Sequence, residues 1–352
     1  MKKAIKILFF SLLGLIVLAV VFTWSAFGDM IKGAMSVEKL DEGFYYMEFY
    51  GDDGFDEFLL SGGAKNSDDM AQQLAKLLSK GYYTPPKMPD TAKFGCSTLT
   101  VKTPDNKILM GRNFDYPSGT GVVLHAFPTN GYENISTFDV TLYGFGEGYL
   151  PEGFQRQYMA LSGLFVALDG INEKGFAVAD LVAGDNVETH QNTGKPALTT
   201  TAALAYLLKR AANVDEAIEL LSGIDMHSDI NYAHHFALSD NTGKSVVVEY
   251  VDNQMIVTKT SAVANHYLCA EKLNAGWIEG DDRYKRLCEI YDNAGGVLDS
   301  LKLQEAIFSV SQPSPNYGTQ WTMVMNLSKP SVTYFRKRNF IKPFHFDLKC
   351  SK

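Results

Sequence analysis

Apolar and polar positions alternate most tightly around one stretch of the chain. Alternation over 96–101 predicts a strand, Pro104, Asp105 and Asn106 supply turn residues, and 108–111 reads as the returning strand. In a hairpin centred near Asp105, Cys96 falls opposite Asn113 or Phe114. Upstream, 44–51 reads as a strand closed by Asp52, Asp53 and Gly54. Met70, Leu74, Leu77 and Leu78 share one side of a predicted helix over 68–80, with Ser67 as its N-cap and Gly81 at its stop. The three prolines within 82–89 forbid a helix and predict an extended linker. Downstream, a turn at 172–175 separates two apolar strands, and helical patterns follow over 199–212 and 214–221. Asn213 and Glu216 form a capping box for the second of these. A meander through 236–250 and 254–259 comes next, then helices from 280–286 to 293 and over 298–310, and strands near 320–327 and 332–336. Strand runs flanked by helical pairs, without β-α-β alternation, point to an α+β fold with antiparallel sheets.

The amino terminus follows a different pattern. Lys2, Lys3 and Lys6 precede an uncharged apolar run over 7–27, long enough to cross a hydrocarbon core as a helix. The lysines predict a cytoplasmic amino terminus and an exported body. A cleaved signal peptide is the alternative; Trp24 and Phe27 crowd the small residues Thr23, Ser25 and Ala26, so an uncleaved anchor is favoured. The chain thus divides into an anchor or signal at 1–28, a propeptide-like α+β segment at 29–95 and a catalytic domain at 96–352.

Composition removes several function classes. With 352 residues, 46% of them hydrophobic and 20% charged, the chain is an ordinary globular protein. A formal net charge of −8 leaves no basic footprint for nucleic acid. The run Arg336, Lys337, Arg338 reads as a solvated strand face. Four scattered cysteines (96, 269, 288 and 350) make neither a disulfide scaffold nor a zinc site, and a Cys269–Cys288 bridge is the one pairing entertained. Seven histidines show no ligand spacing; the adjacent His234 and His235 point to opposite faces of a strand. No metal and no cofactor is expected.

The chemistry gathers at the first hairpin. It puts a thiol, Cys96, near a guanidinium, Arg112, and a carboxylate, Asp115. A cation beside a thiol favours the reactive thiolate. A carboxylate beside an amine orients it, which makes most sense if the amine is that of Cys96 itself, freed by cutting Gly95–Cys96.

Cys96 followed by Gly111-Arg112-Asn113-Phe114-Asp115 resembles the start of the mature chain in cysteine N-terminal-nucleophile hydrolases of the choloylglycine hydrolase superfamily. That group includes bile-salt hydrolases, penicillin V acylases, acid ceramidase and N-acylethanolamine acid amidase. Arg112 to Pro117 looks most similar to the ceramidase and amidase branch, and 170–175 resembles the family's Gly-x-Asn-Glu-Lys-Gly turn. The resemblance implies a four-layer αββα sandwich over roughly 96–335. It further implies oxyanion donors at the Asn265 side chain and the Val182 backbone N–H, and an active-site role for Arg283. A comparable upstream segment in the ceramidase-like branch is retained as a second subunit. The function implied is hydrolysis of linear, non-peptide amide bonds in small N-acyl compounds. Acyl transfer and a membrane-attached inactive binding protein are the alternatives, a Cys–His protease through His266 or His235 is a further one, and a homo-oligomer is left open.

Overall fold

The structure is a computed structural model and describes residues 2–81, 95–143, 148–184, 187–228, 232–273, 282–313 and 317–349. Two large sheets stack face to face. The first has nine strands in the spatial order β1 (Glu38–Asp41), β2 (Phe44–Gly51), β5 (Gly121–Pro128), β6 (Asn134–Asp139), β7 (Asp169–Asn172), β8 (Ala177–Val182), β11 (His234–Ser239), β12 (Ser245–Val251) and β13 (Gln254–Lys259). The second has six, in the order β14 (Ala262–Val263), β3 (Gly95–Lys102), β4 (Ile108–Tyr116), β15 (Gly318–Asn326), β16 (Ser331–Arg336) and β17 (Pro343–Asp347). A short parallel pair, β9 (Ala197–Thr199) and β10 (Asp225–His227), lies apart from both.

Three apolar layers hold the stack together. Side chains such as Phe114, Trp321, Leu181 and Val247 fill the space between the sheets. The outer face of the nine-stranded sheet is covered by α3 (Ser67–Ser79), α5 (Thr200–Arg210) and α6 (Val214–Ser222), which bury Leu74, Leu204, Leu208 and Leu221 against Phe236 and Val248. On the far side, α7 (Arg283–Asn293) and α8 (Ser300–Ser309) pack Leu287, Leu303 and Ile307 on Leu99, Val101 and Leu109. The order is helices, sheet, sheet, helices. Strand alternation produces it, because odd positions of β3 face the helices while Cys96 faces the other sheet.

The segment ahead of Cys96 is built into this sandwich. A single helix, α1 (Lys2–Met35), runs past the apolar stretch and ends against β2. There Gly33 sits so close to Phe49 and Leu161 that an added methyl would lie 3.0 and 3.1 Å from them. Ser36 bonds the Glu48 carbonyl at 2.9 Å. β2 pairs in parallel with β5 from Phe44 to Gly51, and the short helix α2 (Phe55–Leu60) adds Phe55 and Phe58 to the core. A final short helix, α4 (Phe154–Met159), touches α1.

Several local expectations change. α3 is capped by Asn66, whose extended backbone lets its side chain accept the Asp69 N–H at 2.8 Å; Ser67 is already the first helical residue. The predicted linker at 82–89 lies outside the described residues. Arg336 is no solvated face. It is buried and donates to the carbonyls of Gln320 and Gly119 at 2.9 and 2.8 Å, while Lys337 and Arg338 form the exposed turn beyond it. Cys269 and Cys288 are both free thiols. The expected cap on α6 is present with one change: Asn213 accepts from Glu216 N, and Glu216 reaches back to the N–H of Ala212, one residue before the cap.

Candidate active site

The β3–β4 hairpin turns through Asn106, which takes a left-handed conformation suited to its short polar side chain. Its register places Cys96 opposite Phe114, within the predicted pair of positions. Arg112, two residues back on β4, shares the face of Phe114 and is the diagonal neighbour of Cys96. Cys96 is fully buried. Its backbone N–H donates to Asn265 Oδ1 at 2.7 Å.

Asn265 lies just past β14, and its amide orientation is fixed by its partners. Oδ1 accepts from both Cys96 N and Arg283 Nη2, the latter at 2.9 Å, while Nδ2 donates to the Val182 carbonyl at 2.6 Å. On β8 the Ala183 N–H bonds Ala233 of the neighbouring chain segment, so strand alternation turns Val182's N–H and C=O to the opposite edge, toward Asn265. Arg283 opens α7 and also donates to Asp115 Oδ2 at 2.5 Å. Thr319 Oγ1 holds the other Asp115 oxygen at 2.5 Å. Of the residues singled out in the sequence, Asp115, Asn265 and Arg283 are linked to one another and to the Cys96 nitrogen, Arg112 lies diagonal to Cys96, and Val182, expected as an N–H donor, meets Asn265 through its carbonyl. The observed partner of the Cys96 N–H is Asn265 and not Asp115, whose two oxygens accept from Arg283 and Thr319.

Arg112 points between the sheets. Its Nε donates to Asp169 Oδ2 at 2.5 Å and its Nη1 to the Asp180 carbonyl at 2.8 Å. Trp321 Nε1 donates to the same Asp169 oxygen at 2.9 Å, and the indole stacks on Phe114 with centroids 4.1 Å apart. A bulge between Thr319 and Trp321 in β15 lets one strand serve both sides of β4: Thr319 reaches Asp115, and Trp321 lies over Phe114. Sequence reading missed Asp169, Thr319 and Trp321. A signal for the first was present, since a carboxylate between Leu168 and Ile171 in an apolar strand must find a partner once buried.

Burial pushes the Cys96 thiol up to about 12; Arg112 and Arg283 pull it down, and Asp115 and Asp180 push it further up. In the uncut chain the sulfur is therefore a neutral thiol, and the expected bias toward thiolate is outweighed by desolvation. His235 pairs with Glu249 at 3.2 Å, and the His266 ring packs edge-on to Tyr284. Glu249 also accepts the N–H groups of Leu268 and Cys269, tying down the segment that follows Asn265. Among the described residues no group of His, Cys, Asp and Glu is arranged to hold a metal ion.

Two stacked sheets between helical layers make an α+β fold that matches Ntn-hydrolase structures. Comparison with solved structures agrees on the fold. The chain is similar to a mutant of the conjugated bile acid hydrolase from Clostridium perfringens, with a TM-score of 0.52 and 18% identity over 72% of this chain and 92% of that one. It is also similar to penicillin V acylase from Agrobacterium tumefaciens, with a TM-score of 0.50 and 18% identity over 72% and 86%. In sequence, residues 96–266 match the linear amide C-N hydrolases of the choloylglycine hydrolase family. A penicillin V acylase from Pectobacterium atrosepticum is 31% identical over 105 residues, an alignment spanning 27% of this chain and 28% of that relative. Residues 96–266 are thus similar in sequence to the linear amide C-N hydrolases of the choloylglycine hydrolase family, and the chain spans little more than a quarter of the curated relative it matches.

Proposed function

We propose that the protein hydrolyses a small N-acyl amide through Cys96, made amino-terminal by autocatalytic cleavage of Gly95–Cys96. The observation that supports this reading is the hydrogen bond from the backbone nitrogen of Cys96 to Asn265 Oδ1, which Arg283 also holds while pairing with Asp115, with Arg112 diagonal to Cys96. Cleavage turns that nitrogen into an α-amine already held by Asn265 Oδ1. Such an amine titrates at about 7.7–8.0, closer to neutral than a lysine at about 10.4, and so serves as the base.

The amine takes the thiol proton, and the sulfur attacks the amide carbonyl. The second Nδ2 hydrogen of Asn265 and the Val182 N–H hold the oxyanion; losing one such donor costs about 3 kcal/mol of barrier. The C–N bond breaks as the proton passes to the leaving amine, and water then releases the acyl group from the thioester. Asp115 fixes Arg283, which together with Asn265 orients the amine.

The substrate class is an N-acyl compound with a lipid-like or aromatic acyl group, in line with the ceramidase and amidase wording at Arg112 to Pro117. Helix α1, whose apolar run carries a mean hydropathy of 2.8, supports single-pass membrane attachment with the catalytic body outside. The eight-residue pairing of β2 with β5 supports retention of the upstream piece after cleavage.

The test is the intact mass and amino-terminal sequences of the full chain, wild type against Cys96→Ala. A chain beginning at Cys96 in the wild type alone is expected; the same cleavage in Cys96→Ala defeats the reading. Turnover of N-acyl amines, conjugated bile salts and penicillin V, with and without a competing amine, then separates hydrolysis from acyl transfer.

A further inference from the structure

The ion pair behind Cys96 has features that stability does not explain. Arg112 and Asp169 are both fully buried, and their contact bridges the two sheets from β4 to β7. Yet Arg112 Nη2 and Asp169 Oδ1 are buried with no hydrogen-bond partner. Replacing a buried ion pair by apolar side chains is often neutral or stabilising, and a pair with unused polar atoms is worse than a satisfied one. The arrangement does fix a direction. Asp169 grips the Nε edge, the Asp180 carbonyl grips Nη1, and Nη2 is the nitrogen left over, on the side chain diagonal to Cys96. Trp321 locks the carboxylate in turn through its indole N–H, while its ring packs on Phe114, the register partner of Cys96.

We propose that Asp169, clamped by Trp321, is the positioning residue of the site: it aims the free edge of Arg112 at the charge that develops around Cys96 and masks part of the guanidinium's field until then. The inference rests on the amidase reading above. Asp169 touches neither sulfur nor substrate and acts through Arg112.

The test uses the full chain, extracted in detergent. Asp169→Asn keeps the shape and an acceptor for Trp321 but removes the charge. Release of the chain beginning at Cys96 is expected to slow about a hundredfold, the scale of a catalytic group misplaced by about 1 Å. In the cleaved fraction, the pH midpoint for Cys96 alkylation by iodoacetamide moves down by about half a unit, because the unmasked guanidinium favours thiolate. The other charges acting on Cys96, namely Asp115, Asp180 and Arg283, are untouched by the substitution. A purely structural role slows release without moving that midpoint, and an unmoved midpoint overturns the inference while leaving the amidase reading standing. No chain starting at Cys96 in the wild type overturns both. Should Asp169→Asn not fold, Trp321→Phe decides. It keeps the ring and the ion pair but frees the carboxylate to mask Arg112 more fully, so the midpoint moves up, and an unmoved midpoint again overturns the inference.

Discussion

Cys96 stands between two arginine–aspartate pairs with the same 2.5 Å contact and opposite surroundings. Arg112 and Asp169 are sealed between the sheets, both side chains at 0% exposure. Arg283 and Asp115 lie where α7 begins, and the Arg283 side chain keeps 13% of its surface. The inner pair cannot rearrange without moving two sheets, so it sets a fixed field. The outer pair shares Arg283 with Asn265, whose Oδ1 also accepts the Cys96 N–H, so under the proposed cleavage it is the part that responds as that nitrogen becomes an amine. One site therefore holds a constant part and a responsive part.

The largest expected effect tests whether either pair serves a nucleophile at all. Cys96→Ala abolishes both the chain beginning at residue 96 and all amide turnover, as read by mass and product assay. Next comes the inner pair. Arg112→Met leaves Asp169 buried and uncompensated, and unfolding in urea should show a loss of about 3–5 kcal/mol. The outer pair should be milder: after Arg283→Met, water reaches Asp115, and the loss in the same measurement is about 1–3 kcal/mol. Equal losses would erase the distinction between the pairs.

The smallest effect is one of pH. The Cys96 thiol of the uncut chain is raised by burial to about 12, above the ordinary thiol value of 9.0. A raised thiol contributes stability that is fully present below the unfolded value and lost as pH rises through the folded one. Any uncut fraction should therefore lose stability between about pH 9 and 12, and its Cys96 should resist iodoacetamide at neutral pH while the half-buried Cys288 reacts.

Much of this was legible in the sequence where the information is local. The hairpin register, the pairing of Asn213 with Glu216 and the turn at 172–175 between two strands follow from turn residues and alternation a few positions apart. The cap of α3 slipped by one because Asn66 and Ser67 are both good caps, and only the backbone's extended conformation at Asn66 separates them. Arg336 was misplaced for a different reason. Its neighbours Lys337 and Arg338 are exposed, and nothing nearby in sequence announces the carbonyls of Gly119 and Gln320 that receive it. Asp169 and Trp321 were missed likewise: Arg112 and Trp321 both meet Asp169 from the opposite sheet, across long stretches of chain. The family resemblance supplied Asn265 and Arg283, which a single sequence does not bring together.

Helix α1 enters the body without a break, and its last turns are wedged against Phe49 and Leu161 and tied at Ser36. Such a joint is a rod, where a floppy tether would let the body tumble. Whatever receives the apolar half of the rod also fixes the compass bearing of the catalytic body. Inserting a single residue into the solvent-facing part of α1 would turn that body by about 100° around the rod and shift it by about 1.5 Å along it. Under the proposed amidase reading, the direction from which a substrate meets Cys96 is thus written in the helical phase of α1.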